Sequence, residues 1–238
     1  MTALNVFVQP KGRAGYILAD TAFTSPDGIV TGLGSKIIQG GGRFPWALGV
    51  TGNVHPLTLG RELLATGIGT MKHLERRLAP AMKRAMVVTL DQHQGTIEAS
   101  CCVRGVAWDF TRKRPVAFTM MSHPEQFMPG ADAFTWYLTQ WAVTCDHPGG
   151  FAGLFGRDAD ITTPDDFDPD HDGLALLEAQ RGHPMRPTTP GCGDMPQYRI
   201  GGEAQIVTVT KNGVRIEGMK EWPDRVGHPI EPAVSAPA

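Results

Sequence analysis

Along the first fifty residues, apolar positions come in short runs, at 6–8, 15–19, 28–31, 35–38 and 47–50. Between them stand Gln9-Pro10-Lys11-Gly12, Ser25-Pro26-Asp27-Gly28 and Gly40-Gly41-Gly42. Proline presets a turn's φ and glycine reaches positive φ without a steric cost, so these runs predict an antiparallel meander. The period then changes. Residues 57–65 and 69–86 read as helices, the second with Met71, Leu74, Leu78, Met82 and Met86 at spacings of three and four. Pro80 lies inside it, lacks an N–H, and predicts a kink.

A second β section is predicted at 98–106 and 114–121, joined by a turn over 110–114. A helix is expected at 132–143, with Trp136, Leu138 and Trp141 on one face, and another at 173–180. A closing hairpin follows from 204–210, Lys211-Asn212-Gly213 and 214–217, since Asn-Gly suits a tight turn. The proline-rich stretch 182–197 reads as a long loop. From Glu221 the chain turns to Pro, Ala and Ser, which predicts one domain over 1–220 and a disordered tail over 221–238. Strands, helices, strands, helices and a hairpin, in blocks, indicate an α+β layering and not alternating βαβ units.

Charge narrows the function classes. The 22 basic and 24 acidic residues nearly cancel, and Arg76-Arg77 and Arg112-Lys113-Arg114 are too short for a nucleic-acid footprint. No stretch has the length of a membrane span or the pattern of a secretory leader. Cys101, Cys102, Cys145 and Cys192 show no paired spacing, which suits a reduced, cytoplasmic setting.

Candidate chemistry begins at Thr2. Asp20 stands eighteen residues later, at the end of a predicted strand, and Lys36 sixteen beyond that. Two hairpins of this length return the chain twice to one sheet edge and can set the three residues side by side. A threonine hydroxyl needs a base to become a nucleophile. An α-amino group, with a reference pKa of about 7.7 to 8.0, can act as one near neutral pH.

In order and spacing, Thr2, the segment Ile17-Leu18-Ala19-Asp20-Thr21-Ala22-Phe23-Thr24, Ser35-Lys36-Ile37-Ile38 and Ala47-Leu48-Gly49-Val50-Thr51-Gly52 resemble proteasome β-subunits and the related bacterial ATP-dependent peptidase. The resemblance implies a four-layer αββα sandwich and an N-terminal threonine hydrolase that cleaves peptide bonds once Met1 is removed. It implies catalytic roles for Thr2, Asp20, Lys36 and the backbone of Gly49. It also implies substrate contacts from Phe23, Thr24, Gly34, Ala47 and Thr51, with Phe23, Gly34 and Ala47 around the side chain before the scissile bond. A peptide or protein substrate, a homo-oligomeric ring and an ATP-dependent unfoldase are the partners implied. The family's serine near the nucleophile's amine has its equivalent at Ala131, in Pro129-Gly130-Ala131-Asp132, where the hydroxyl is missing. That gap keeps open a non-catalytic scaffolding protein on the same fold, and a small-molecule amidase is the other alternative.

Remaining motifs point elsewhere or nowhere. Asp168, Asp170, Asp172 and Gly173 open like a calcium loop, but the position that needs glutamate is Ala179, so a capped acidic loop before a helix is the expectation. Cys145-Asp146-His147 and Cys192-Gly193 lack zinc spacing, and His55 and His123 read as loop residues. No metal and no cofactor are expected.

Overall fold

The computed structural model describes residues 3–9, 11–40, 42–65, 67–96, 98–124, 128, 130–144, 163–185 and 196–232. The first strand, β1 (Leu4–Gln9), pairs antiparallel with β2 (Ala14–Asp20) from Leu4↔Ala19 to Gln9↔Ala14. A short hairpin, β3 (Ala22–Thr24) and β4 (Val30–Leu33), follows as a separate two-stranded sheet. Then come β5 (Ile37–Gly40) and β6 (Trp46–Gly52), the helices α1 (Pro56–Leu64) and α2 (Met71–Gln92), and β7 (Cys101–Asp109) with β8 (Arg114–Met121). Short strands β9 (Tyr137–Thr139) and β10 (Trp141–Ala142), helix α3 (His171–Arg181), and the hairpin β11 (Glu203–Thr210) and β12 (Gly213–Glu221) complete the order.

Two five-stranded antiparallel sheets result, ordered β10-β1-β2-β11-β12 and β5-β6-β7-β8-β9. Period-two alternation decides how they stack. Leu4, Val6 and Val8 of β1, with Ile17 and Ala19 of β2, meet Ala47, Val106 and Ala117 of the other sheet. The opposite face of the first sheet, through Phe7 and Leu18, packs on Leu176 and Leu177 of α3. The outer face of the second sheet, through Trp46, Leu48 and Val50, packs on Leu59, Leu74 and Leu78 of α1 and α2. The layers therefore run helix, sheet, sheet, helix, the αββα sandwich expected.

The differences from the expected elements have physical causes. Residues 132–143 form no helix: Tyr137–Thr139 joins the second sheet and Trp141–Ala142 the first, with Gln140 as the crossover, its carbonyl accepting from Val8 N–H at 2.9 Å. Aromatic and β-branched residues suit strands, and the sheets offer rings to meet them. Trp136 stacks on Phe118 at 3.9 Å between centroids, and Trp141 meets Phe7 edge-on at 6.4 Å. Helix α2 continues through Pro80, which sits on its exposed side, to Gln92.

The expected tail is packed as far as it is described. Trp222 and Ile230 are buried, Ile29 bridges Pro229, and Asp224 is ion-paired with Arg181. Residues 233–238 lie outside the described residues.

Candidate active site

Four segments converge where β2 ends. Asp20 closes β2, fixed by its pairing with Ala204 of β11, and Lys36 immediately precedes β5, its carbonyl accepting from Val50 N–H at 3.3 Å. Lys36 Nζ donates to Asp20 Oδ1 at 2.8 Å, and the two side chains are 1% and 0% exposed. Asp20 accepts three backbone N–H bonds as well: Oδ1 from Ala3 at 3.1 Å, Oδ2 from Gly201 at 3.1 Å and from Ala22 at 3.3 Å. A buried carboxylate is tolerated only with such a complement of donors. Burial pushes the Asp20 carboxyl above its ordinary value, against the Lys36 charge and the Gly201 N–H. Burial likewise pushes the Lys36 ammonium below its ordinary value, against the Asp20 charge. Desolvation thus favours the neutral forms of both groups, and their mutual attraction opposes it.

Asp20 reaches the start of the chain. Its bond to Ala3 N–H fixes the backbone one residue after Thr2; Thr2 itself lies outside the described residues. A second set of contacts holds the next residue. Thr144, just past β10, accepts from Leu4 N–H at 3.2 Å through Oγ1 and donates to Leu4 O at 3.0 Å. Arg104 of β7 donates to Leu4 O at 2.7 Å and to Thr144 Oγ1 at 2.8 Å. Behind them, the buried amides of Asn5 and Gln180 exchange two hydrogen bonds of 2.9 Å, and Thr144 N–H donates to Asn5 Oδ1 at 2.9 Å.

Neither Thr144 nor Arg104 was singled out from the sequence. Ala131, where the family's serine was sought, donates its N–H to Met128 O at 3.0 Å, and the hydroxyl that bonds Leu4 belongs to Thr144. The signal available was the aromatic and β-branched run before Thr144. Read as strand, it would have delivered that hydroxyl to the end of the sheet.

The remaining expected site residues divide. Gly49, on β6 between Ile37 and Arg104, faces β1 so closely that a Cβ there would lie 2.2 Å from Leu4 Cδ1. Phe23 stacks on His55 with centroids 5.0 Å apart, and Lys36 Nζ is 5.5 Å from the Phe23 centroid. Gly34 is beside Phe23, where a Cβ would be 3.6 Å from Cε2, and its N–H donates to Thr21 O at 2.9 Å. Thr24 ends β3, paired with Val30 across a register shift. Thr51 is opposite Cys102 in the β6–β7 ladder. Ala47 is fully buried between the sheets with Leu4, Val6 and Val106; it belongs to the core and not to the wall of a pocket.

The other motifs are accounted for where they are described. Asp168 Oδ1 accepts from Asp170 N–H at 3.0 Å and His171 N–H at 3.3 Å just ahead of α3, whose N-cap position is Asp170. Among the described residues, no group of three His, Cys, Asp or Glu is placed to hold a metal. Burial pushes the Cys101 and Cys102 thiols up, which keeps them protonated and poor nucleophiles. Cys145-Asp146-His147, Cys192-Gly193 and Pro129 lie outside the described residues. No described helix is long and apolar enough to cross a membrane.

No protein-family profile and no curated protein matches the sequence. The fold does find a counterpart: Anbu (ancestral beta-subunit) from Yersinia bercovieri superposes with a TM-score of 0.58, covering 93% of this chain and 88% of that one. This chain shares the fold of that ancestral beta-subunit. At 6% identity the likeness is one of backbone architecture, so the chemistry rests on the residues of this chain.

Proposed function

We propose that this chain is an N-terminal threonine hydrolase acting on peptide bonds. The observation that carries the reading is the buried Lys36–Asp20 pair, with Asp20 also gripping the amide of Ala3 beside Thr2. With Met1 removed, the α-amine of Thr2 takes the proton from its own Oγ1, which attacks the substrate carbonyl carbon. The Lys36 ammonium favours a neutral amine and stabilises the developing alkoxide, and Asp20 orients that ammonium. The oxyanion is left to groups other than the Gly49 N–H, which on β6 is turned toward Arg104 of β7. The proton passes from the amine to the leaving nitrogen as the C–N bond breaks. Water then hydrolyses the Thr2 ester.

Thr144 holds the backbone of Leu4, two residues after the nucleophile. Among the described residues, β3 is paired in its sheet on one edge alone, with β4. An extended peptide laid along the other edge meets Thr24, with its side chain toward Phe23 and Gly34.

The test is intact-protein mass spectrometry before and after exposure to an epoxyketone or a β-lactone, which captures a free N-terminal threonine. The expected result is loss of Met1 and one adduct, absent from Thr2→Ala. Retained Met1, or a processed chain that never labels, overturns the reading in favour of a non-catalytic scaffold.

A further inference from the structure

The segment 222–232 after β12 has no part in the chemistry just proposed, yet it grips both halves of the site. Its centre is a second buried ion pair. Arg181, the last residue of α3, donates from Nη1 to Asp224 Oδ2 at 2.7 Å and from Nη2 to Oδ1 at 2.8 Å, both side chains being 3% exposed. The guanidinium also bonds Ile200 O at 2.7 Å and lies 4.9 Å over the Trp222 ring. Asp224 Oδ2 accepts from Gly202 N–H at 2.8 Å, and Gly202 O accepts from Trp222 N–H at 2.8 Å. The turn 200–202 is therefore clasped from one side.

Its other side faces Asp20. Gly201 N–H donates to Asp20 Oδ2, and Gly201 O accepts from Thr21 N–H at 3.2 Å and Ala22 N–H at 3.0 Å. Only glycine fits: a Cβ at Gly201 would lie 2.4 Å from Asp224 Oδ2, and Gly202 has φ +78. Farther along, the strap pairs with β4. Val30 N–H donates to His228 O at 2.9 Å, Gly227 N–H to Val30 O at 2.8 Å, and Ile230 packs against Ala22 and Val30.

We infer that the strap is a positioning element of the site. The Arg181–Asp224 clasp holds Gly201 against Asp20, and the 227–230 segment holds the β3–β4 hairpin in place beside the Asp20–Lys36 pair. Arg181 and Asp224 touch no reacting atom in this scheme and act through the turn. The role within catalysis rests on the hydrolase reading; the mechanical coupling does not.

The test uses the full chain and two readouts on wild type, Asp224→Asn and Asp224→Ala: amide hydrogen exchange, and NMR titration of the Asp20 carboxyl. Lys36 is the charged side chain paired with that carboxyl, and is followed in the same titration. In Asp224→Ala, the Gly201 and Gly202 amides are expected to lose protection by about tenfold or more while β6 and β7 keep theirs. The Asp20 carboxyl moves further up in pH, because the Gly201 N–H that opposes its rise is loosened. Asp224→Asn, which keeps a neutral acceptor, gives a smaller change in the same direction and supplies the answer if the alanine variant does not fold. Gly202 exposed with Gly201 protection and Asp20 titration unchanged overturns the inference. Labelling of Thr2 is recorded in parallel. A wild type that never labels sinks the hydrolase reading and leaves the exchange and titration results to decide the clasp.

Discussion

The two buried ion pairs sit on either side of one glycine turn and are built to different ends. Arg181–Asp224 is a bidentate fork whose guanidinium is further bonded to two backbone carbonyls and covered by an indole. Such geometry recovers much of what desolvation costs. Lys36–Asp20 makes a single 2.8 Å contact, the lysine's one hydrogen bond to a described residue. Asp20, by contrast, is saturated with backbone N–H groups from three segments. The difference teaches that burial of charge alone does not mark a reactive site. What sets the proposed site apart is a buried cation held by a carboxylate that backbone donors from three segments immobilise.

Removing the anchor gives the largest expected effect. Asp20→Ala leaves Lys36 buried without its counter-charge and should cost about 3–5 kcal/mol in urea unfolding, with all labelling lost. If the pair served the fold alone, Asp20→Leu with Lys36→Met would restore stability. Full restoration is not expected, because the N–H groups of Ala3, Ala22 and Gly201 are left unpaired at about 1–3 kcal/mol each.

The pH profile separates the reactive pair from a merely structural one. Lys36 is pushed below the ordinary lysine value by burial, and it is needed as ammonium. Labelling should therefore fall as pH rises through that lowered value, giving an alkaline limb beneath the usual lysine range. At the acid end two losses combine: protonation of the α-amine proposed as the base, and protonation of Asp20, whose carboxyl burial pushes above the ordinary carboxylate range. Lys36→Arg, which keeps its charge throughout, should abolish the alkaline limb while leaving the acid one. An unchanged alkaline limb assigns it to another group.

A steric test comes next in size. Gly49→Ala places a methyl 2.2 Å from Leu4 Cδ1. Leu4 can shift its side chain, so the stability loss should stay at about 1–3 kcal/mol by thermal unfolding, whereas labelling should fall by a larger factor, because β1 begins two residues after the proposed nucleophile, Thr2. Equal losses in both would reduce Gly49 to a packing glycine.

Most of the sandwich was legible because turns announce themselves. Pro26-Asp27-Gly28 and Asn212-Gly213 mark hairpins, and the apolar run at 6–8 marks the first strand. Asp20 and Lys36 came into view because hairpin lengths fix where strands end. The errors cluster where partners decide. Residues 137–142 carry a spacing that a helix also satisfies, and only Phe118 and Phe7, distant in sequence, turn Trp136 and Trp141 into sheet neighbours. The 222–232 strap is rich in turn formers, and no local pattern shows that Arg181 waits for Asp224. Ala47, a small residue in a matched motif, was assigned to a pocket, yet strand parity turns it toward the opposing sheet.

The same failure of local pattern produces the finest test, at Ala131 and Thr144. If the site needs a hydroxyl where a motif comparison puts it, Ala131→Ser should raise labelling. If the structure's placement governs, Ala131→Ser does nothing, and Thr144→Val costs about 1 kcal/mol from lost hydrogen bonds to Leu4, with a several-fold fall in labelling. Thr144→Ser then separates hydroxyl from shape: it keeps the donor and acceptor on Leu4 and Arg104 and should retain most of the labelling. A valine variant that labels like wild type would mean that Asp20's bond to Ala3 positions the chain start unaided. The reading would then lose its second anchor while keeping its first.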